Sequence, residues 1–202
     1  MKVDLHVHIK KLSRCAKMDI QRLVPHLLAY KIYGVAPLDH YYFTSDEDVK
    51  EIHDISDKIT VFKATELSYR GPRGNKEDII LISSTTPPFE LKKMTKSELE
   101  VFIRKTDALT ILAHPYRRRD FVDFDWEWFT PDAVEISSIH IEEKNRDKIR
   151  NLANHHGIQT VVTSDAHRSK HLGKYYIEIP DGIQTCEELK WTIKTNRYTL
   201  PT

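Results

Sequence analysis

The stretch "VDLHVH" at residues 3–8 sets the reading of the whole chain. Val3, Leu5 and Val7 alternate with Asp4, His6 and His8. Alternation at period two is the signature of a β-strand, in which residues i and i+2 point the same way. His6 and His8 therefore share a direction at the end of the run. Two neutral imidazoles side by side are nitrogen donors suited to a divalent ion. A single histidine here would more simply be a hydrogen-bonded core residue. The rest of the sequence has to supply the partners.

The 202 residues are 40% hydrophobic and 30% charged, which predicts one soluble domain, 1–202, with a sizeable core. A formal net charge of +1 gives no bulk attraction to nucleic acid or membrane. No apolar run approaches the ~18 residues of a spanning helix. Lys2 and Asp4 flank Val3 where a secretion signal would place apolar residues. Cys15 and Cys186 lie far apart and form neither a disulfide framework nor a CxxC pair. A reducing cytoplasm is the expected location. The oddity of the composition is its eleven histidines.

Working outward, short β-type runs recur: "KVDLHVH" (2–8), "GVAPLDH" (34–40), "ITVFKATELS" (59–68), "DIILIS" (78–83), "LTILAHP" (109–115), "AVEISS" (133–138), "QTVVTSDAH" (159–167) and a weaker "YYIEI" (175–179). Helical spacing fills most of the gaps. After Asp19 as N-cap, Ile20, Leu23, Val24, Leu27 and Leu28 share one face up to Gly34, with Pro25 favouring a start nearer residue 23. Thr95 and Glu98 form a capping-box pattern at the head of 95–106. The stretch 141–157 ends on Gly157, and 186–196 is a last helix. Such alternation predicts an α/β fold with a largely parallel sheet, and seven or so units predict closure into a barrel.

The apolar runs end in groups that a core would not choose: His6 and His8, Asp39-His40, Glu66, His114, then Asp165 and His167. In a barrel of parallel strands all C-terminal ends meet at one face. His6, His8, His40, Glu66, His114, Asp165 and His167 would then converge from five strands as a metal site. Imidazole mixed with carboxylate suits zinc, manganese or iron, and a carboxylate such as Glu66 can bridge two ions. Asp39 points away from His40 on a strand, so it reads as a support and not a ligand.

Other histidines read more plainly. His53, His155 and His156 lie in polar helical stretches, and His26 sits beside Pro25. His140 follows the sixth strand and so points to the site face. His171 either lines the pocket or faces water. Cys15 is either a soft ligand in the loop after His8 or, more commonly for such a residue, a small buried one. Asp78 starts its strand, which puts it at the wrong end for the site.

With these residues in place, the chain resembles the PHP family (polymerase and histidinol phosphatase) over nearly its whole length. "DLHVH" (4–8), "PLDHYYF" (37–43), "KATELS" (63–68), "LAHPYR" (112–117) and "TSDAH" (163–167) resemble its motifs in order. The ending "GKYYIEIP…TCEELKWTIKTNRYT" resembles the usual family tail. The resemblance implies a distorted (β/α)7 barrel with its metal site at the C-terminal ends of the strands. It implies two divalent ions, with a third possible site, and hydrolysis of phosphate esters by a metal-activated hydroxide. It places His6, His8, Glu66 and Asp165 around one ion and shares His40, His114 and His167 among the others. Where members often carry an acid or a histidine after the HxH pair, this chain has Arg14-Cys15. Where they often carry a histidine after the motif Glu, it has Asp78.

A phosphate substrate needs cations to grip it. Arg117, Arg118 and Arg119 follow His114-Pro115, while Lys10, Lys11 and Arg14 follow His8. Each alone could be a solvated surface charge. Arg117 and Arg14 are the chosen phosphate contacts. Tyr41, Tyr42, Phe43, Tyr116 and "FVDFDWEWF" (121–129) would either stack on a base or pack as a lid. The expected substrate is a phosphorylated small molecule or short nucleic acid, a phosphomonoester or phosphodiester. Two other readings stay open: an amidohydrolase or TatD-like metal hydrolase, and a non-catalytic metal-binding PHP module.

Overall fold

In the computed structural model, which describes residues 1–12, 14–88 and 90–201, the apolar runs form strands and the amphipathic stretches form helices. The first half runs β1 (Lys2–His8), α1 (Ile20–Ala29), β2 (Ile32–Leu38), α2 (Asp46–Ile55), β3 (Thr60–Val61), β4 (Ala64–Arg70) and β5 (Lys76–Ile82). The second runs α3 (Lys96–Thr106), β6 (Leu109–Ala113), β7 (Ala133–Ser137), α4 (Arg146–His156), β8 (Gln159–Val162), β9 (Ile177–Glu178) and α5 (Cys186–Lys194).

Local chemistry explains the helix ends. Thr95 and Glu98 close both bonds of the capping box on α3, and Thr185 and Glu188 do the same on α5. Gly157 ends α4 in the left-handed conformation, φ 64°. Two expectations change. The Asp19 carboxylate accepts from the Arg22 amide at 3.0 Å, so α1 starts at Ile20 and keeps Pro25 inside it. Gly34 does not end that helix; it lies within β2. A Cβ there would stand 2.7 Å from Val3 Cγ2, so glycine lets β1 and β2 pack closely.

The strands form two sheets, in the orders β3-β2-β1-β9 and β4-β5-β6-β7-β8. Pairs β1–β2, β2–β3, β6–β7 and β7–β8 are parallel; β4–β5, β5–β6 and β1–β9 are antiparallel. This is a mixed α/β fold, and the expected (β/α)7 barrel is not closed by continuous ladders. The expected all-parallel order is also broken, by the short loop 71–75 between β4 and β5. Parallel neighbours need a crossover of a dozen or more residues, so this connection can only make a hairpin. The sheets touch through isolated parallel bridges, Val7 with Ala166 and His40 with Glu66.

One apolar core lies between the sheets and beneath α4 and α5, with Leu5, Leu38, Ile80, Ile111, Val134 and Leu189 fully buried. A second joins α1 and α2 to the first sheet through Leu23, Leu27 and Ile52. A third seats α3 on β4 and β5 through Leu67, Leu81 and Leu99. Among the described residues no helix is long and apolar enough to cross a membrane.

Candidate metal centre

The two bridges between the sheets carry the polar residues. Val7 stands between His6 and His8, and Ala166 between Asp165 and His167. His40 pairs directly with Glu66. The seams therefore bring these side chains together. His6 Nε2 lies 3.0 Å from His8 Nε2 and 3.3 Å from Asp165 Oδ1. His8 Nε2 lies 3.2 Å from Glu66 Oε2 and 3.4 Å from Asp165 Oδ1. Glu66 Oε2 is 2.9 Å from His40 Nδ1, and Glu66 Oε1 is 3.0 Å from His114 Nε2. His167 Nδ1 is 3.4 Å from Asp165 Oδ1. Ligand atoms ~2.0–2.2 Å from one ion, at right or tetrahedral angles, stand roughly 2.9–3.5 Å apart. These separations have that spacing.

Two buried oxygens carry the test of fit. Glu66 Oε2 and Asp165 Oδ1 have no hydrogen bond, although both residues are buried. Imidazoles lie near each of them without hydrogen-bonding alignment. Unpaired carboxylate oxygens in a core are costly, and a cation between them and the imidazoles would satisfy both. The donor set, imidazole plus carboxylate, suits a divalent ion.

Charge in the site is balanced by the groups themselves. Burial opposes ionisation of Glu66 and Asp165, but His6 and the neighbouring imidazoles hold both well below the carboxylate range. Burial likewise opposes charge on the imidazoles. The carboxylates nevertheless raise His6 and His8 well above their ordinary value, and contacts with Cys15 and Glu66 raise His40 to about 9. Metal ligation requires neutral imidazoles, so an arriving ion would expel these protons.

Supporting groups surround the cluster. Glu135 on β7 is fully buried; its Oε1 lies 2.7 Å from His6 Nδ1, and its Oε2 accepts from the His114 amide at 2.7 Å. It also accepts from Thr163 Oγ1 at 2.5 Å. Asp39 accepts from the amides of His40 at 2.8 Å and Leu12 at 2.7 Å, with Oδ1 3.9 Å from His8 Nδ1. Asp4 Oδ1 accepts from the Ser164 amide at 3.0 Å, and burial pushes its carboxyl up to about 7. His114 and Asp165 hold left-handed backbone, φ 27° and 50°. β8 ends at Val162, three residues before Asp165, so strand alternation does not aim Asp165 and His167. The turn at Asp165 does.

Several sequence readings shift here. Asp78 is at the site end, not the wrong end, because β5 runs antiparallel. It lies 3.9 Å from His114 Nε2, grouped with Glu66 and His114. His140 Nδ1 lies 2.5 Å from Asp165 Oδ2. Glu135 was not singled out: a lone Glu inside the apolar run "AVEIS" was the available signal. Arg117 Nη1 is 3.7 Å from Asp165 Oδ2, and with Tyr116, His114 and Asp78 it lines a cleft. Arg14 is exposed, its carbonyl accepting from Lys17 Nζ at 3.3 Å. Lys11 is committed to Asp48 and Arg119 to Glu77. Several aromatic residues are drawn into packing: Phe43 and Phe124 are buried, Tyr42 donates to Asp48, and Trp128 Nε1 donates to the Lys96 carbonyl at 3.0 Å, while Tyr116 and Phe121 line the cleft. Cys15 is exposed, contrary to the buried alternative.

The family described as PHP-associated matches residues 143–198, from the turn before α4 through α5. Among solved structures, one from Bifidobacterium adolescentis, described as a candidate metal-dependent phosphoesterase, shares 12% identity at a TM-score of 0.62, covering 96% of each chain. A two-domain protein from Bacteroides vulgatus, described as containing a predicted PHP-like metal-dependent phosphoesterase, shares 13% at 0.70, covering 100% of this chain and 64% of its own. An amidohydrolase from Chromobacterium violaceum, with bound sulfate and no metal, shares 12% at 0.65, covering 100% and 99%. No curated protein matches the chain. The solved structures show a shared fold, and the family match is confined to residues 143–198.

Proposed function

We propose that the chain hydrolyses phosphate esters at a centre of two divalent ions, zinc, manganese or iron, with room for a third. The observation that carries this reading is Arg117 beside the cluster, its guanidinium part-exposed and 3.7 Å from Asp165 Oδ2. His6, His8, Glu66 and Asp165 would hold one ion, with His40, His114 and His167 serving the others. When bound, such ions supply Lewis acidity, which makes hydroxide accessible near neutral pH and offsets charge on a phosphoryl group.

The chain's own residues do the rest. Glu66 presents one oxygen toward His8 and His40 and the other toward His114, so it can serve two ions at once. Glu135 holds the far nitrogen of His6 and so fixes the ring. Arg117 swings from Asp165 to the phosphoryl oxygens, which carry charge before and during reaction. Arg14, on the exposed loop after His8, is the second candidate contact. With Tyr42, Phe43, Phe124 and Trp128 engaged in packing and Tyr116 left at the cleft, a phosphorylated small molecule suits the site better than a stacked nucleic acid. Two widely separated free cysteines, Cys15 and Cys186, fit a reducing cytoplasm.

The test is a substrate panel on metal-loaded protein: p-nitrophenyl phosphate, its bis ester, mono- and dinucleotides, amides and lactones. Turnover of one or more phosphate esters is expected. Activity confined to amides or lactones would refute the reading and favour the class of the Chromobacterium violaceum neighbour. Metal binding with no turnover on any substrate would favour a binding module.

A further inference from the structure

Cys15 is a strong donor at this centre that the reading above does not use. Its Sγ and the ligand nitrogens of His8, His40 and His167 all lie within 4.8 Å of one another. Sγ is 3.9 Å from His8 Nδ1. The ring centroid of His8 is 4.1 Å from that of His167 and 4.9 Å from that of His40. His8 is already turned inward, its Nε2 set among His6, Glu66 and Asp165. That leaves Cys15, His40 and His167 as a separate outer group.

A second observation points to a cation there. Glu66 Oε2 is fully buried, lacks a hydrogen bond, and lies 2.9 Å from His40 Nδ1. It stands between the inner and outer groups. The loop that carries Cys15 is tied to both ligand-bearing segments. The Lys17 amide donates to the His167 carbonyl at 3.0 Å, and the Leu12 amide to Asp39 at 2.7 Å. Zinc lies ~2.3 Å from thiolate sulfur and ~2.0–2.1 Å from imidazole nitrogen, so tetrahedral S···N separations are about 3.6 Å. Sγ stands within 4.8 Å of the His40 and His167 nitrogens, and rotation of an exposed side chain can close that separation.

We propose that Cys15 is a thiolate ligand, joined by His40 and His167, of an outer metal site that favours zinc, cobalt or iron(II) over manganese. This rests on the metal centre proposed above. The thiol releases its proton to solvent as the ion binds. Thiolate is a soft donor and suits zinc, cobalt and iron(II), whereas manganese prefers oxygen and nitrogen. One residue thus separates the metal choice of the outer site from that of the inner one.

Cobalt(II) titration of chelator-stripped protein tests this directly. The wild type should develop a near-ultraviolet thiolate-to-cobalt charge-transfer band. Cys15→Ser should lose that band, keep the inner-site visible bands, and bind one equivalent at least about tenfold more weakly. Cys15→Asp should restore that equivalent without the band and shift its preference toward manganese. Because Cys15 is exposed, unchanged circular dichroism is expected of both variants. The wild type offers an independent check. Cys15 should react with a thiol reagent in the stripped protein and be protected by zinc, while buried Cys186 stays slow. Cobalt bound with the same spectrum and stoichiometry in wild type and Cys15→Ser, or zinc giving no protection, would overturn the Cys15 assignment alone. No cobalt bound at all would take down the metal centre with it.

Discussion

Glu66 and Asp39 show how position separates two buried carboxylates. Glu66 faces four imidazoles, those of His6, His8, His40 and His114, and leaves one oxygen without a hydrogen bond, whereas Asp39 accepts from two backbone amides. Glu66→Gln should therefore abolish activity and full metal loading. Asp39→Asn should weaken metal binding by about 10–100-fold without removing a site, the range for a group that orients a ligand. Metal analysis after dialysis distinguishes the two. Equal ion loss from Asp39→Asn and His40→Ala would reject the division. Arg117→Ala should cut kcat/KM on a phosphate ester by ~10–100-fold, matching a lost charge-assisted contact of roughly 1.5–3 kcal/mol. The metal count should be unchanged. Most of these residues are legible because they end apolar runs. Glu135 and Asp78 were harder. Glu135 lies inside a run rather than at its end, and Asp78 reaches the site only because its strand is reversed.

At the scale of elements, the β4–β5 hairpin depends on one close approach. Gly71 lies against the 121–129 segment so tightly that an added Cβ would fall 1.4 Å from the Asp123 carbonyl oxygen. The Asp123 carboxylate in turn accepts from the Arg73 and Asn75 amides at 3.0 and 2.8 Å. Gly71→Ala should force these segments apart and cost several kcal/mol, on the order of 2–4, seen as a lowered denaturation midpoint. An unchanged midpoint would mean the approach is not needed. A second element-scale device is Asp48, which closes the capping box of α2, pairs with Lys11 and accepts from Tyr42. Burial opposes its charge, but Lys11 and Tyr42 hold its carboxyl below the ordinary 3.8. A lowered folded value means the unfolded chain binds more protons below about 3.8, so stability falls as pH drops through that window. Asp48→Asn should flatten this acid limb, measured by denaturant midpoints at descending pH against a neutral control. Helix caps such as Thr95–Glu98 were legible because they are local. The strand reversal was written in "RGPRGN" (70–75), a turn-rich connection too short for a crossover, but alternation of strand and helix elsewhere pulled the reading toward parallel strands.

At the scale of the whole molecule, barrel closure was the feature least legible, because it depends on registers between distant strands. The structure has two sheets whose seams are single bridges, and the same bridges hold the candidate ligands in place. His6 and His8 flank Val7, Asp165 and His167 flank Ala166, and His40 pairs with Glu66 across the other seam. An ion bound by these side chains would tie β1 to the segment after β8 and the segment after β2 to β4. It would thus cross-link the joints with the fewest backbone bonds. Binding confined to the folded state stabilises by RT ln(1 + [L]/Kd), about 2.7 kcal/mol at a hundredfold excess over Kd. For a chain of this size that is roughly 5–10 °C in Tm. Stripping with a chelator should lower Tm by that order, and zinc or manganese should restore it. Glu66→Gln should lose most of the metal-dependent rise, because it removes a charge at the seam between the groups. The Arg117→Ala variant should keep the whole rise, since Arg117 binds no ion. A melting curve indifferent to every ion tried would show that the seams are held by protonated imidazoles and carboxylates alone, and the metal centre would have to be abandoned.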